Sequence, residues 1–219
     1  MLVMTVLAAG SVATVGLMRW FEPPYSMVML QRAVVERAPQ RQQWVDIDAI
    51  APPMALAAVA AEDQRFPQHW GFDTAEILAA VEQHLDGGRL RGASTISQQV
   101  ARNLFLWQGR SFVRKGLEVW FTVLIEALWG KRRILEMYLN FAETGPRRFG
   151  VDLAARQAFG VSAARLSERQ AALIAASLPN PLRYRVERPG PYVLHRRTWI
   201  LQQMHNLGPA HLADILVRK

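Results

Sequence analysis

Glu62-Asp63-Gln64-Arg65-Phe66-Pro67-Gln68-His69-Trp70-Gly71 sets two adjacent carboxylates, an aromatic, a histidine and a glycine directly after the apolar run Met54 to Ala61. That run is built of strong helix formers, so Glu62 is expected near the end of a largely buried helix. Burial disfavours the ionised carboxylate and lifts its pKa toward neutrality, the condition for a general acid or base at physiological pH. A Glu-Asp pair taken alone is more often a solvated helix end, so the rest of the chain must add weight. Arg114 and Lys115 stand four and three residues before Glu118, which puts the three on one helix face where they can form one polar cluster. An ordinary surface ion pair has the same spacing. Gly92-Ala93-Ser94-Thr95-Ile96-Ser97-Gln98-Gln99 opens a helix, and helix N-termini favour anions, so Ser94, Thr95, Gln98 and Gln99 are candidates to cradle phosphate and hydroxyls. Thr95 with Gln98 also reads as a capping box.

The elements that must position these residues read as helices. An amphipathic stretch runs from Met27 to Arg37 within a polar, Pro-punctuated segment. Asp73 with Glu76 caps a helix to about Leu85, with Gly87-Gly88 ending it, and the Thr95 helix continues through Leu106. Ser111 precedes a long helix with Leu117, Phe121, Leu124, Ile125 and Leu128 at helical spacing, stopped by Gly130. Helices over Lys131 to Asn140 and Phe149 to Phe159 follow, then one capped by Ser167 and Gln170 and ending at Leu178, and a last from about Tyr192 to Asn206. No alternating run of strand length is present, so the fold class is mainly α and a substantial sheet is not expected. Trp107, Trp120, Phe121 and Trp129 are expected to pack rather than to stack on bases.

The 219 residues, 51% of them hydrophobic, suffice for one buried domain. The absence of cysteine excludes a disulfide framework and thiolate metal sites and leaves the redox compartment open. A net charge of +8 suits an anionic partner. Nucleic acid is not expected, because the basic residues are interleaved with carboxylates and no recognition motif is present. Met1 to Met18 carries no ionisable side chain and is followed by Arg19-Trp20-Phe21. This is read as an uncleaved transmembrane anchor over 1–21, just long enough to span a bilayer. Residues 22–53 are read as a juxtamembrane connection and 54–219 as the catalytic domain. No Lys or Arg precedes the run, so the flanking charge does not select the inside N-terminus, and basic codons upstream are the expected source of that topology.

In order, the Glu62 to Gly71 stretch, Gly92 to Gln99, Arg114-Lys115-Gly116-Leu117-Glu118, Lys131-Arg132-Arg133-Ile134-Leu135-Glu136-Met137-Tyr138-Leu139-Asn140 and Phe149-Gly150 resemble the peptidoglycan glycosyltransferases. More narrowly, the chain looks like the membrane-anchored monofunctional biosynthetic transglycosylases, which share this module with bifunctional penicillin-binding proteins. The resemblance covers roughly Pro24 to the C-terminus. It implies a lysozyme-like glycosyltransferase domain and an inverting polymerisation of lipid II, in which the 4-hydroxyl of the acceptor attacks the growing chain and undecaprenyl pyrophosphate leaves. By the same resemblance Glu62 is the catalytic base and Glu118 the second essential glutamate. Arg114, Lys115, Ser94, Thr95, Gln98, Gln99 and Arg102 face sugar and pyrophosphate, while Asp63, Phe66, His69, Gly71, Tyr138 and Asn140 give support.

Glu118 either orients the two cations or holds a divalent metal, Mg²⁺ or Mn²⁺, against pyrophosphate; no organic cofactor is implied. Lys131 to Arg133 is read as either a solvated face or a phosphate contact. Partners implied are lipid II, the nascent glycan strand, the cell inner membrane and cell-division or elongation proteins, with the catalytic domain periplasmic. Met27-Val28-Met29-Leu30 is expected to dip toward the bilayer. Departures from the family pattern fall at Ala93, Ser97, Arg102 and Ala158, of which Arg102 alone bears on substrate. The rival reading is a peptidoglycan-cleaving lytic transglycosylase or lysozyme-like hydrolase, which also needs a buried Glu but not the Arg114, Lys115 and Glu118 cluster.

Overall fold

The computed structural model describes residues 1–85, 87, 94–109 and 111–217. The Gly92 and Ala93 positions and the Gly88 stop lie outside them. Helix α1 (Leu2–Leu17) is followed by α2 (Met27–Glu36), where Ser26 accepts the Met29 amide as N-cap and Arg37 closes the end in the left-handed conformation. Strand β1 (Arg41–Gln42) and a 3-10 turn lead into α3 (Pro52–Glu62). Pro52 and Pro53 thus form the first helical turn, where a missing amide costs nothing, rather than closing a linker.

The remaining elements are α4 (Thr74–Leu85), α5 (Ile96–Phe105), α6 (Phe112–Leu128), α7 (Lys131–Phe141), β2 (Glu143–Gly145), β3 (Arg148–Phe149), α8 (Val151–Phe159), α9 (Glu168–Ser177), α10 (Pro191–Leu207) and α11 (Ala213–Leu216). The fold is mainly helical, as expected. The expected caps are present: Asp73 Oδ1 accepts the amides of Ala75 and Glu76, Ser111 accepts that of Arg114, and both capping boxes close reciprocally.

A small sheet of order β1-β3-β2 was not anticipated; β1 runs parallel to β3 with Arg41 opposite Arg148, and β2 runs antiparallel to it. Strands of two or three residues are too short to show an alternation. The centre of the domain is α3 against α9 and α7. Helix α3 packs on α9, and Met54, Ala57, Ala58 and Val59 of α3 and Ala171, Ala172, Ile174, Ala175 and Ala176 of α9 are all fully buried. Alanine on both faces lets these two helices approach closely, and burial all round explains why neither shows a one-sided apolar stripe.

The expected spanning helix is not supported. Helix α1 has 16 residues, about 24 Å at 1.5 Å per residue against a hydrocarbon core of about 30 Å. Among the described residues no helix is long and apolar enough to cross a membrane. Instead α1 is docked on the domain: Trp129 Nε1 donates to the Val15 carbonyl at 2.7 Å, Trp120 Nε1 to Ser11 Oγ at 3.0 Å, and Arg133 to the Met18 and Phe21 carbonyls. The segment 22–53 is likewise held, since the Asn140 amide group brackets Val45 through both its N–H and its carbonyl and Glu136 accepts the Ile47 amide.

Candidate active site

Glu62 ends α3 with its side chain 15% exposed. Its Oε2 accepts a hydrogen bond from Gln99 Nε2 at 3.1 Å, while its buried Oε1 has no hydrogen-bond partner and lies 3.7 Å from Arg196 Nη2. Burial pushes its pKa up; Gln99, Arg196 and Arg102 oppose the rise and Asp63 adds to it. The sequence expectation of a helix-end carboxylate with raised proton affinity therefore holds.

Asp63 turns the other way. His69 Nε2 lies 2.9 Å from Asp63 Oδ1, and Asp63 Oδ2 accepts the Ile96 amide at 2.9 Å, so this carboxylate joins the end of α3 to the start of α5. Phe66 is fully buried, set edge-on to the His69 ring and covered by Lys131 Nζ at 4.5 Å. Gly71 has φ +83° and its carbonyl accepts Thr95 Oγ1 at 2.7 Å. A Cβ at Gly71 would meet Thr122 Cγ2 at 2.7 Å. His69 thus fixes the loop after Glu62, as its position suggested.

A cleft of about 810 Å³ opens beside Glu62, lined among others by Ser94, Gln99, Arg102, Arg114, Tyr138 and Arg196. A second hollow of about 300 Å³, with Asp63, Arg65, Asp73, Ser94 and Trp199 in its wall, reaches Glu62 from another side. Glu62 therefore stands where two clefts meet. Thr95, in the wall of the smaller hollow, and Gln98 each accept the other's amide, and both are buried. This reciprocal cap fixes the α5 start. Ser97 is equally internal, its Oγ 2.5 Å from Glu126 Oε1, which also takes Lys131 Nζ at 2.7 Å.

Glu118, 1% exposed, accepts from Arg114 Nη1 at 2.9 Å and Lys115 Nζ at 2.6 Å. The one-face cluster is present, but Arg114 alone of the three lines the larger cleft. The donor set does not fit a resident divalent ion: each Glu118 oxygen already serves a cation, and no group of three or more acidic or histidine side chains that could hold a metal is found among the described residues. Lys131, Arg132 and Arg133 are each partly exposed and pair with Glu126, Asp48 and Glu136.

Sequence reasoning missed Arg196 as part of the site, since it sits on the last long helix and reaches Glu62 only through the α10 to α3 packing. The adjacent pair Arg196-Arg197 was the available signal. Tyr138 was assigned support but lines the cleft floor, its phenol pushed well above the ordinary value by burial. Trp107 lines the cleft and is 42% exposed, so of the four aromatics expected to pack it is the one facing open space beside the site.

Residues 29–205 match the sequence profile of the Transglycosylase family. A biosynthetic peptidoglycan transglycosylase of Pseudomonas aeruginosa is 51% identical over 205 residues, covering 91% of this chain and 88% of its own length. One from Pseudomonas entomophila is 49% identical, covering 95% of this chain and 91% of its own. Another from Shewanella oneidensis is 47% identical over 94% of this chain and 90% of its own. With that extent of match laid over a buried glutamate at the meeting of two clefts, the chain belongs to the transglycosylase family.

Proposed function

We propose that the protein is a peptidoglycan glycosyltransferase that elongates glycan strands from lipid II on a lysozyme-like helical domain. The observation that carries this is the Glu62 carboxylate, desolvated, incompletely hydrogen-bonded and facing both hollows, which suits a donor chain on one side and an acceptor on the other. Glu62 takes the proton of the acceptor's 4-hydroxyl as that oxygen bonds to the anomeric carbon. The carbon–oxygen bond to pyrophosphate breaks, and the lipid pyrophosphate departs as an anion needing no proton. Arg114 in the cleft wall meets that growing charge, with Lys115 beside it and Glu118 fixing both cations. No step is routed through a metal.

We further read the protein as membrane-bound with its catalytic domain outside the cytoplasm. Support comes from α1, which has no ionisable side chain, and from outward-facing Leu30, Val34 and Val35 of α2. Val28 and Met29, expected on that surface, are buried instead. The test of the reaction is purified full chain with labelled lipid II in detergent, beside Glu62→Gln and Glu118→Gln. Lysozyme-sensitive polymer from the parent protein, lost in both variants, is expected. Soluble fragments from preformed peptidoglycan with no polymer from lipid II would move the protein to the cleaving enzymes.

A further inference from the structure

Glu62 lies on α3, yet the cation nearest its carboxylate comes from α10. Arg196 Nη2 donates to the Ala61 carbonyl at 3.2 Å, in the last turn of α3, and lies 3.7 Å from Glu62 Oε1. That second separation is too long for a hydrogen bond but short for a charge interaction in a part-buried site. The guanidinium also lies 5.8 Å from the Trp199 ring, so it sits between the larger cleft, which Arg196 lines, and the smaller one, which Trp199 lines.

The groups that face Glu62 are Asp63 from the adjoining turn, Gln99 and Arg102 from α5, Tyr138 from α7 and Arg196 from α10. Asp63 is engaged by His69 and the Ile96 amide, and Tyr138 carries no charge near neutral pH. Among the described residues, Arg196 is the cation that both faces the carboxylate and is bonded to the turn bearing it.

We propose that Arg196 is a positioning residue for Glu62: tied to the Ala61 carbonyl, it fixes the last turn of α3 and keeps the neighbouring carboxylate ionised and ready to accept a proton. The inference rests on Glu62 being the base. A base in a desolvated site must be unprotonated before each turnover, and a cation within about 4–6 Å favours that state. Removing the cation leaves burial and Asp63 less opposed, so Glu62 would stay protonated to higher pH.

Arg196→Gln keeps a donor for the Ala61 carbonyl and removes the charge; Arg196→Lys keeps the charge. In the full chain, the acid limb of kcat/KM for lipid II should move up by about 0.5–1 pH unit in the Gln variant and stay in place in the Lys variant. On the acid side of the limb the rate then falls about three- to tenfold and the loss disappears at higher pH, with KM within about twofold. Carbon-13 NMR titration of the Glu62 carboxyl, assigned with Glu62→Gln, should show the same displacement without substrate. That readout decides the inference even if the parent protein makes no polymer, which would defeat the proposed reaction separately.

Because the chain contains no cysteine, Arg196→Cys can be labelled selectively, and a cationic thiol reagent should restore the limb where a neutral one does not. This covers the case of a misfolded Gln variant. A Glu62 titration unmoved in the charge-free proteins, a rate loss uniform across pH, or an effect on KM alone would each overturn the assignment.

Discussion

Glu62 and Glu118 are both withdrawn from water, but the chain treats them oppositely. Glu118 sits mid-helix with Arg114 and Lys115 each on one of its oxygens. Glu62 ends its helix with a neutral amide on one oxygen, nothing hydrogen-bonded to the other and open space on two sides. A carboxylate with a cation on each oxygen is a firm anchor for both. A desolvated carboxylate with an unfilled acceptor position has the higher proton affinity that general-base work needs. The two environments divide the proposed reaction into proton removal and charge stabilisation.

The largest expected effect is on Glu62. Glu62→Gln should lower polymerisation by about 10²–10⁴-fold while leaving lipid II binding intact, measured by initial rates and by retention of labelled substrate. Equal loss of binding would mean that Glu62 holds substrate rather than acting as the base. Glu118→Gln should cost about 10–10³-fold in rate through misplaced Arg114 and Lys115. It should also lower the melting temperature, because removing one partner of a buried pair leaves cations underpaired; an unchanged melt would show the cluster to be looser than its geometry.

Gly71→Ala tests the scaffold between the two glutamates. A methyl group in the left-handed region, 2.7 Å from the Thr122 side chain, should destabilise by about 1–3 kcal/mol in denaturant unfolding, with activity falling in proportion to the folded fraction. The smallest effect concerns pH. Folded Glu62 binds its proton more tightly than unfolded Glu62, so between the two pKa values the folded state carries more protons and stability falls as pH rises. Glu62→Gln removes that fall. Its melting temperature should exceed the parent's by about 1–3 °C at pH 8 and match it below about pH 4, the opposite sign to Glu118→Gln.

What could be read from the sequence was local. The Thr95–Gln98 and Ser167–Gln170 boxes, the Asp73 and Ser111 caps and the Arg114, Lys115 and Glu118 spacing are all set within one helical turn, and each formed. The raised proton affinity of Glu62 was foreseeable from the alanine-rich run before it. Arg196 was not, since its approach to Glu62 depends on how α10 packs across α3. The same holds for Val28 and Met29: their apolar character was plain, but which face of α2 meets α5 is decided by tertiary packing. Thr95 and Gln98 show a further limit, because one pair of side chains satisfies both a cap and a ligand-binding pattern on paper and the sequence does not show how deeply they are buried. The three-stranded sheet escaped because its register is set by the Arg41 to Arg148 pairing across distant chain.

The docking of α1 has a mechanical consequence. Trp120 and Trp129 grip its C-terminal half at Ser11 and Val15, and Arg133 clamps the turn after it, so no swivel separates that half from the helix that bears Glu118. Helix α1 is a mounting bracket rather than a tether. A displacement of the C-terminal half of α1 is therefore passed directly to α6 and the Glu118 cluster it carries.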